Sequence, residues 1–434
     1  MNDSDAIDPL SPIPIRGLRH SLQSFRALGL AILCLTIGDM ARVAGTYFLA
    51  LYLGENVHWS TATIGMWLGV MISALTFAFV GGFIGDRTHA RKAWVGAGLA
   101  MEGIGFFLLA SMYEPALKIG FVLIAVGILL FYGSVLVVVA EFATAAGIRM
   151  ETAFLIVLFS ATLGGAVAMV GSGFLYESRM LYPALALLLT MATLLWLLAA
   201  RPLASEASPD AALALTGSRR RIALLFLAFF ATRAVNLVSR YAFSWPEEGE
   251  SVPPDANDLV NQLGSVQKIT GILWLVVVPL IVFLAIRWLQ KRGIVLAGAG
   301  LVGPGFASMG LAWIILGLGA GNSLLRHQVS FALAEAALSM GYALIFVGLA
   351  TLTCSLVSNR WRGTATALFA GVPQTGSLMT TTWHSWPLAA PLLAMGAGAL
   401  LAGVLWHLFV VRGFARGLIV QKGAAGVQPG SPRD

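Results

Sequence analysis

Gly81-Gly82-Phe83-Ile84-Gly85-Asp86-Arg87-Thr88-His89-Ala90-Arg91-Lys92 joins two apolar runs, Ala62 to Ile84 before it and Ala93 to Met112 after it. Each run is long enough to cross about 30 Å of hydrocarbon as a helix. The glycines let a neighbouring helix approach closely, and the cluster of Asp86, Arg87, Arg91 and Lys92 marks where the chain leaves the bilayer. Outward from this loop the same alternation repeats. The other spans of the first half are Ala27 to Leu53, Ala116 to Ala140, Thr152 to Leu175 and Leu181 to Ala200. The second half offers Ile222 to Ala242, Val266 to Trp288, Ile294 to Ala320, Ser330 to Val357, Gly363 to Thr382 and Pro387 to Val411. The expected architecture is an all-α membrane protein of twelve transmembrane helices.

Composition agrees. Of 434 residues 58% are hydrophobic and 11% charged, with a mean hydropathy of +0.84, whereas a soluble domain spends about a quarter of its residues on charge. A membrane β-barrel is excluded because its strands alternate apolar and polar residues. The expected organisation is a segment 1–26, a six-helix bundle 27–200, a linker 201–221, a second six-helix bundle 222–411 and a tail 412–434. Of the 27 Lys and Arg, twenty fall on the side of the termini and linker, including the triplet Arg219, Arg220 and Arg221. Three, Lys118, Arg179 and Arg326, fall on the other side, beside the acidic loop Glu247, Glu248, Glu250, Asp255 and Asp258. The positive-inside bias therefore places both termini in the cytoplasm. The net charge of +7 is scattered over short loops, so it orients the chain and does not form a nucleic-acid surface.

The quoted loop resembles that of the major facilitator superfamily: Gly, three residues, Asp-Arg, then a basic pair. The gap Thr88-His89-Ala90 before the basic pair, with Ala90 where a glycine is usual, is more similar to the proton-dependent oligopeptide transporter family. Three further stretches resemble that family. They are Phe154 to Gly165, with Thr162 where Asn is typical; Gln267-Lys268-Ile269-Thr270-Gly271, ending at Pro279; and Arg360-Trp361-Arg362-Gly363-Thr364-Ala365. The first helix has Gly38-Asp39-Met40-Ala41-Arg42 where the family carries a Glu and a Glu-Arg pair, and Gly133-Ser134-Val135-Leu136 lacks the family's fourth-helix Lys. The resemblance implies the major facilitator fold, two bundles around a central cavity cycling by alternating access, and a peptide-like solute. It also assigns Gly82, Asp86, Arg87 and Arg91 to a gating motif. Asp86, at a helix end, can face the positive N-terminus of the helix beginning near Gly363 and clasp the two halves.

Ionisable residues inside spans are functional candidates by default, because burying each in lipid costs at least about 2.5 to 3.5 kcal/mol at the helix centre. Asp39 and Arg42 lie three apart on one face of the first helix, either as a coupling pair or as a structural ion pair. Asp39 beside Arg42 is placed to change protonation as the pair opens and closes, since burial disfavours a charged carboxylate and a cationic neighbour favours it. Asp39 and Glu335 are the proton-coupling candidates; Arg42, Tyr47, Arg233, Asn236 and Glu335 are the candidates for binding solute. Arg233 is mid-span, with Asn236 near the same face. Arg240 and Lys268, near helix ends, are read as snorkelling. Glu102, in the third span, holds a position that the superfamily resemblance assigns to supporting rather than lining the cavity, and is left outside the site.

Several chemistries drop out. Gly298-Ala299-Gly300-Leu301-Val302-Gly303 satisfies the dinucleotide pattern, but lies within an apolar span where no strand can precede it. The six histidines never fall at metal-ligand spacing, and no phosphate-binding Gly-Lys-Ser loop occurs. No cofactor, metal or catalytic group is expected. The expected function is secondary active transport of a small polar solute, peptide-like or carboxylate-bearing, coupled to protons in a plasma or bacterial inner membrane. The alternatives are a facilitator or exporter of organic anions or drugs, and a transport-inactive receptor or assembly protein that keeps the fold. A monomer is compatible with this reading.

Overall fold

The computed structural model describes residues 15–47, 49–177, 180–199, 277–289, 291, 297–319, 324–357, 359–371 and 389–411. Among these, every regular element is a helix. The first expected span comprises α1 (Ile15–Tyr47) and α2 (Leu49–Asn56), and the second α3 (Thr61–Thr76) and α4 (Ala78–Thr88), which meet at Phe77. There follow α5 (Arg91–Leu109), α6 (Glu114–Ala145), α7 (Met150–Glu177) and α8 (Leu181–Ala199). In the second half come α9 (Val277–Leu289), α10 (Ala297–Gly319), α11 (Leu324–Leu356), α12 (Arg362–Gly371) and α13 (Ala389–Trp406).

Among the described residues six helices are long and apolar enough to cross a membrane: Gln23–Gly45, Arg91–Leu109, Glu114–Ala145, Leu181–Leu198, Gly298–Ile315 and Ala336–Ser355. Shorter apolar helices, Ala62–Met71, Met150–Gly165, Val277–Leu289 and Gly396–Trp406, lie in four other expected spans. The span expected from Ile222 to Ala242 lies outside the described residues, as do the linker 201–221, the segment 1–14 and the tail 412–434. On α8 the outward residues Leu187, Met191, Leu194 and Leu198 are all more than half exposed and recur at helical spacing. Such an apolar stripe is tolerable because its solvent is hydrocarbon.

Both halves repeat one packing relation. α5 lies against α6 and α8, and α10 lies against α11 and α13. Lipid tails are as apolar as leucine, so packing of this kind depends on close approach of small residues. A Cβ added at Gly98 of α5 would stand 2.7 Å from the Gly127 carbonyl oxygen of α6, and one at Gly305 of α10 would stand 3.0 Å from that of Gly341 of α11. Gly298, first of the run that mimics a dinucleotide loop, lies inside α10, where an added Cβ would stand 3.0 Å from the Gly348 carbonyl oxygen of α11. Gly98→Ala should therefore destabilise the detergent-solubilised protein by about 1 to 3 kcal/mol through overpacking. Gly69→Ala, where an added Cβ meets nothing within 4 Å, should gain up to about 1 kcal/mol from helix propensity. Thermal-unfolding midpoints moving in opposite directions are the expected result.

The two halves touch through three contacts that matter below. α7 lies against α11, while α4 and α6 lie against α12.

Candidate functional site

Two polar centres stand out against this apolar background. The first is buried among α1, α5 and α6. Arg42, placed by α1 one turn after Asp39, points its guanidinium towards α5. There Nε donates to Glu102 Oε2 at 2.8 Å and Nη2 to Glu102 Oε1 at 2.9 Å. This parallel fork is the strongest geometry a guanidinium and a carboxylate can adopt. The remaining arm, Nη1, donates to Asp39 Oδ1 at 2.8 Å, and the Tyr132 hydroxyl of α6 donates to the same oxygen at 2.5 Å. The guanidinium carbon also lies 4.1 Å from the Phe131 ring centroid and 4.6 Å from that of Tyr132. It is thus held by charge, hydrogen bonds and aromatic faces together.

Local sequence makes this arrangement possible. Gly38 leaves room beside the guanidinium, since a Cβ there would lie 3.2 Å from Arg42 Nη2. Gly127 does the same for the carboxylate, its added Cβ falling 2.5 Å from Glu102 Cγ. Exposure is graded across the cluster: the Glu102 side chain is 0% exposed, that of Arg42 9%, that of Asp39 15%.

The second centre joins the halves at the end of α4. Asp86 Oδ1 accepts from Arg91 Nε at 2.9 Å and Nη2 at 2.6 Å, and from the Gly363 backbone N–H at 3.0 Å. Its Oδ2 accepts from the backbone N–H and the hydroxyl of Thr364, both at 2.8 Å. Gly363 and Thr364 open α12, so the carboxylate caps the unsatisfied N–H groups of a helix from the other half. Gly82 permits the approach, because a Cβ there would lie 2.5 Å from the Gly363 carbonyl oxygen. Arg91 also donates from Nη1 to Glu141 Oε1 at 2.8 Å, tying α5 to the end of α6. Arg87 is exposed and stands 5.2 Å from the Phe83 ring.

Between the halves, the stretch from Phe154 to Gly165 and the residues around Pro279 line one narrow cleft with Leu155, Leu158, Thr162, Val278 and Ala343. Its polar group, the Thr162 hydroxyl, donates back to the Leu158 carbonyl at 2.8 Å.

Of the residues expected to bind solute or protons, the structure brings Asp39 and Arg42 together with a third partner. Tyr47 ends α1 and Glu335 lies on α11, but their side chains are outside the described residues, as are Arg233 and Asn236 entirely. Arg42, expected to meet solute, faces Glu102 inside its own bundle. Glu102, set aside on the sequence, is its bidentate partner. The signal was present, since a lone acid in an apolar span obeys the same rule that singled out Asp39. Tyr132 had no signal, because a tyrosine in an apolar span is ordinary until its hydroxyl is seen to meet a carboxylate. Among the described residues no group of three metal-ligating side chains comes together.

The family model for the Major Facilitator Superfamily matches residues 30–381 of this chain. No curated protein sequence is similar enough to count as a relative. Among solved structures, the proton:xylose symporter XylE bound to 6-bromo-6-deoxy-D-glucose is similar at a TM-score of 0.62 with 16% identity, over 90% of this chain and 96% of that one. The human organic anion transporter MFSD10 gives 0.57 and 16% over 91% and 100%. The peptide transporter POT, in complex with sulfate, gives 0.57 and 15% over 89% and 94%.

Proposed function

Because the chain belongs to the Major Facilitator Superfamily, we propose that it is a proton-coupled secondary active transporter of a small polar solute, peptide-like or carboxylate-bearing. Twelve helices form two six-helix bundles, 27–200 and 222–411, with both termini cytoplasmic, and they exchange inward-open and outward-open states around a central site. The observation that carries this reading is Asp39, an acid inside a membrane span bonded to Arg42 and Tyr132. Such a group is expensive to keep in a bilayer unless it works. Similarity in fold to a protein named as a proton symporter and to one named as a peptide transporter supports the class.

Arg42 is already matched by Glu102, so a solute carboxylate falls to Arg233. That residue is mid-span with no acid in its own span. Arg233 holds the anion in place of the fourth-helix Lys of the peptide transporters.

The test begins with a thermal-shift panel of dipeptides, sugars and organic anions on the purified protein, since any ligand of the native state raises its melting point by mass action. With the best hit in proteoliposomes, Asp39→Asn should abolish accumulation driven by a proton gradient and leave counterflow exchange largely intact. Exchange needs binding and reorientation but no net proton movement. Undiminished uphill accumulation by a well-folded Asp39→Asn protein refutes the coupling role.

A further inference from the structure

We propose that Asp39, Arg42 and Glu102 form a store for one proton, in which Glu102 is the permanent counterion of Arg42 and thereby makes Asp39 the carboxylate that takes and gives the proton. The inference deepens the proton-coupled reading above and rests on it.

The charge count comes first. Among the described residues, the cluster contains one guanidinium and two carboxylates within hydrogen-bond distance of it. With both acids ionised it carries a surplus of one negative charge, which a low-dielectric interior penalises. A single proton makes it neutral. A second proton would leave the guanidinium unmatched, which is penalised in the same way. The stable stoichiometries are therefore one proton held, or one proton released when water or a solute cation reaches the cluster.

Geometry then decides which acid holds it. Glu102 has both oxygens bound in a fork, at 2.8 and 2.9 Å, and its side chain is 0% exposed. Protonating it would break the fork in a place no water reaches. Asp39 receives one guanidinium N–H and the Tyr132 hydroxyl, both on Oδ1, and is the most exposed of the three. A hydronium ion reaching Asp39 transfers its proton to Oδ2 and leaves as water. Oδ1 goes on accepting from Arg42 and Tyr132, so the site need not rearrange to load.

Among the described residues, the other titratable groups packed against α1 stand apart from this exchange. On α8, Tyr182 donates to the Gly45 carbonyl at 3.3 Å. On α7, Tyr176 donates to Glu55 at 2.7 Å. Glu151 lies in the first turn of α7, thirteen residues before Gly164, which packs on Thr36 and Met40; at 1.5 Å per residue that is about 20 Å away. On α6, Glu141 is bonded to Arg91, and on α1 Cys34 donates to the Ala192 carbonyl.

Glu102 is thus a positioning residue, which acts on the proton without touching it. Removing its charge leaves one cation and one acid, a pair that is neutral with Asp39 ionised and has no reason to bind a proton.

Infrared titration of the full-length protein in liposomes tests this, through the carboxylic-acid C=O stretch of buried groups. The wild type minus Asp39→Asn difference should show one titrating carboxyl per protein. Glu102→Gln, which keeps the side-chain shape, should lose that same band although Asp39 is present, and should exchange solute without accumulating it. Tyr132→Phe, which alters no charge, should keep one titrating carboxyl. If Glu102→Gln does not fold, Glu102→Asp retains the charge and must keep the band. A band that survives Glu102→Gln, two titrating carboxyls in the wild type, or loss of the band in Glu102→Asp overturns the proposal. Survival of the band in Glu102→Gln, with uphill uptake still lost in Asp39→Asn, would sink the single-proton store and leave coupling through Asp39 standing.

Discussion

Asp86→Ala should open the side of the protein at which α4 meets α12. The carboxylate accepts two backbone N–H groups and a hydroxyl from the start of α12, in the opposite half, and two guanidinium N–H groups from Arg91 in its own half. Hydrogen bonds to a charged group contribute about 1.5 to 3 kcal/mol each, though not additively. The contacts to α12 exist only while the halves are joined at this end, so only they bias the conformational equilibrium. A shift of about 2 to 3 kcal/mol, or about 30- to 150-fold in population, follows. Asp86→Asn should act nearly as strongly, because an amide turns its own N–H donors towards N–H donors. Thr364→Ala, which removes one hydroxyl and leaves both backbone bonds, should shift the equilibrium less than either Asp86 variant. Spin labels on His89→Cys and Arg360→Cys, both at exposed positions beside the clasp, report the outcome as a distance distribution. A longer distance gaining weight in the order Thr364→Ala, Asp86→Asn, Asp86→Ala is expected, and an unchanged distribution in Asp86→Ala would reduce Asp86 to a marker of topology.

Arg42→Gln should be the most destabilising single change in the first bundle. It leaves Glu102 buried with no countercharge, and breaking a buried pair from one side costs about 3 to 5 kcal/mol. It also strips the guanidinium that lies over the Phe131 and Tyr132 rings. Arg42→Lys keeps the charge and loses the fork, so an intermediate loss is expected. The double variant Arg42→Gln with Glu102→Gln should recover more than half of the loss, because no uncompensated charge remains in the fully buried position. Thermal unfolding in detergent gives the three values. Recovery of less than half would mean that the guanidinium acts mainly through its packing against the two rings.

The two centres differ in how far they could be read from the sequence. Of the clasp, the acid and the helix start that it meets were legible, because Asp86 follows its glycines in one loop and the helix begins at Arg-Gly-Thr; the bonds from Arg91, Glu141 and the Thr364 hydroxyl were not. Local spacing carries that information. The triad was legible only as Asp39 and Arg42, which share one helix face. Glu102 is sixty residues from Arg42 and Tyr132 ninety-three from Asp39, and no periodicity links positions on different helices. The sequence offered Arg42 only its same-face neighbour Asp39 as a partner, and the structure adds Glu102 in its fork.

The amino-acid sequence alone determined that the chain is a polytopic helical membrane protein and where most of its spans run. These follow from hydropathy, helix length and residue spacing, all local properties of a chain whose solvent is hydrocarbon. Tertiary structure alone decided which helix supplies each buried charge with its partner. In a bilayer that choice is made by glycine-lined approaches such as Gly38 beside Arg42 and Gly127 beside Glu102, which bring distant side chains within bonding distance where no water can stand in for them.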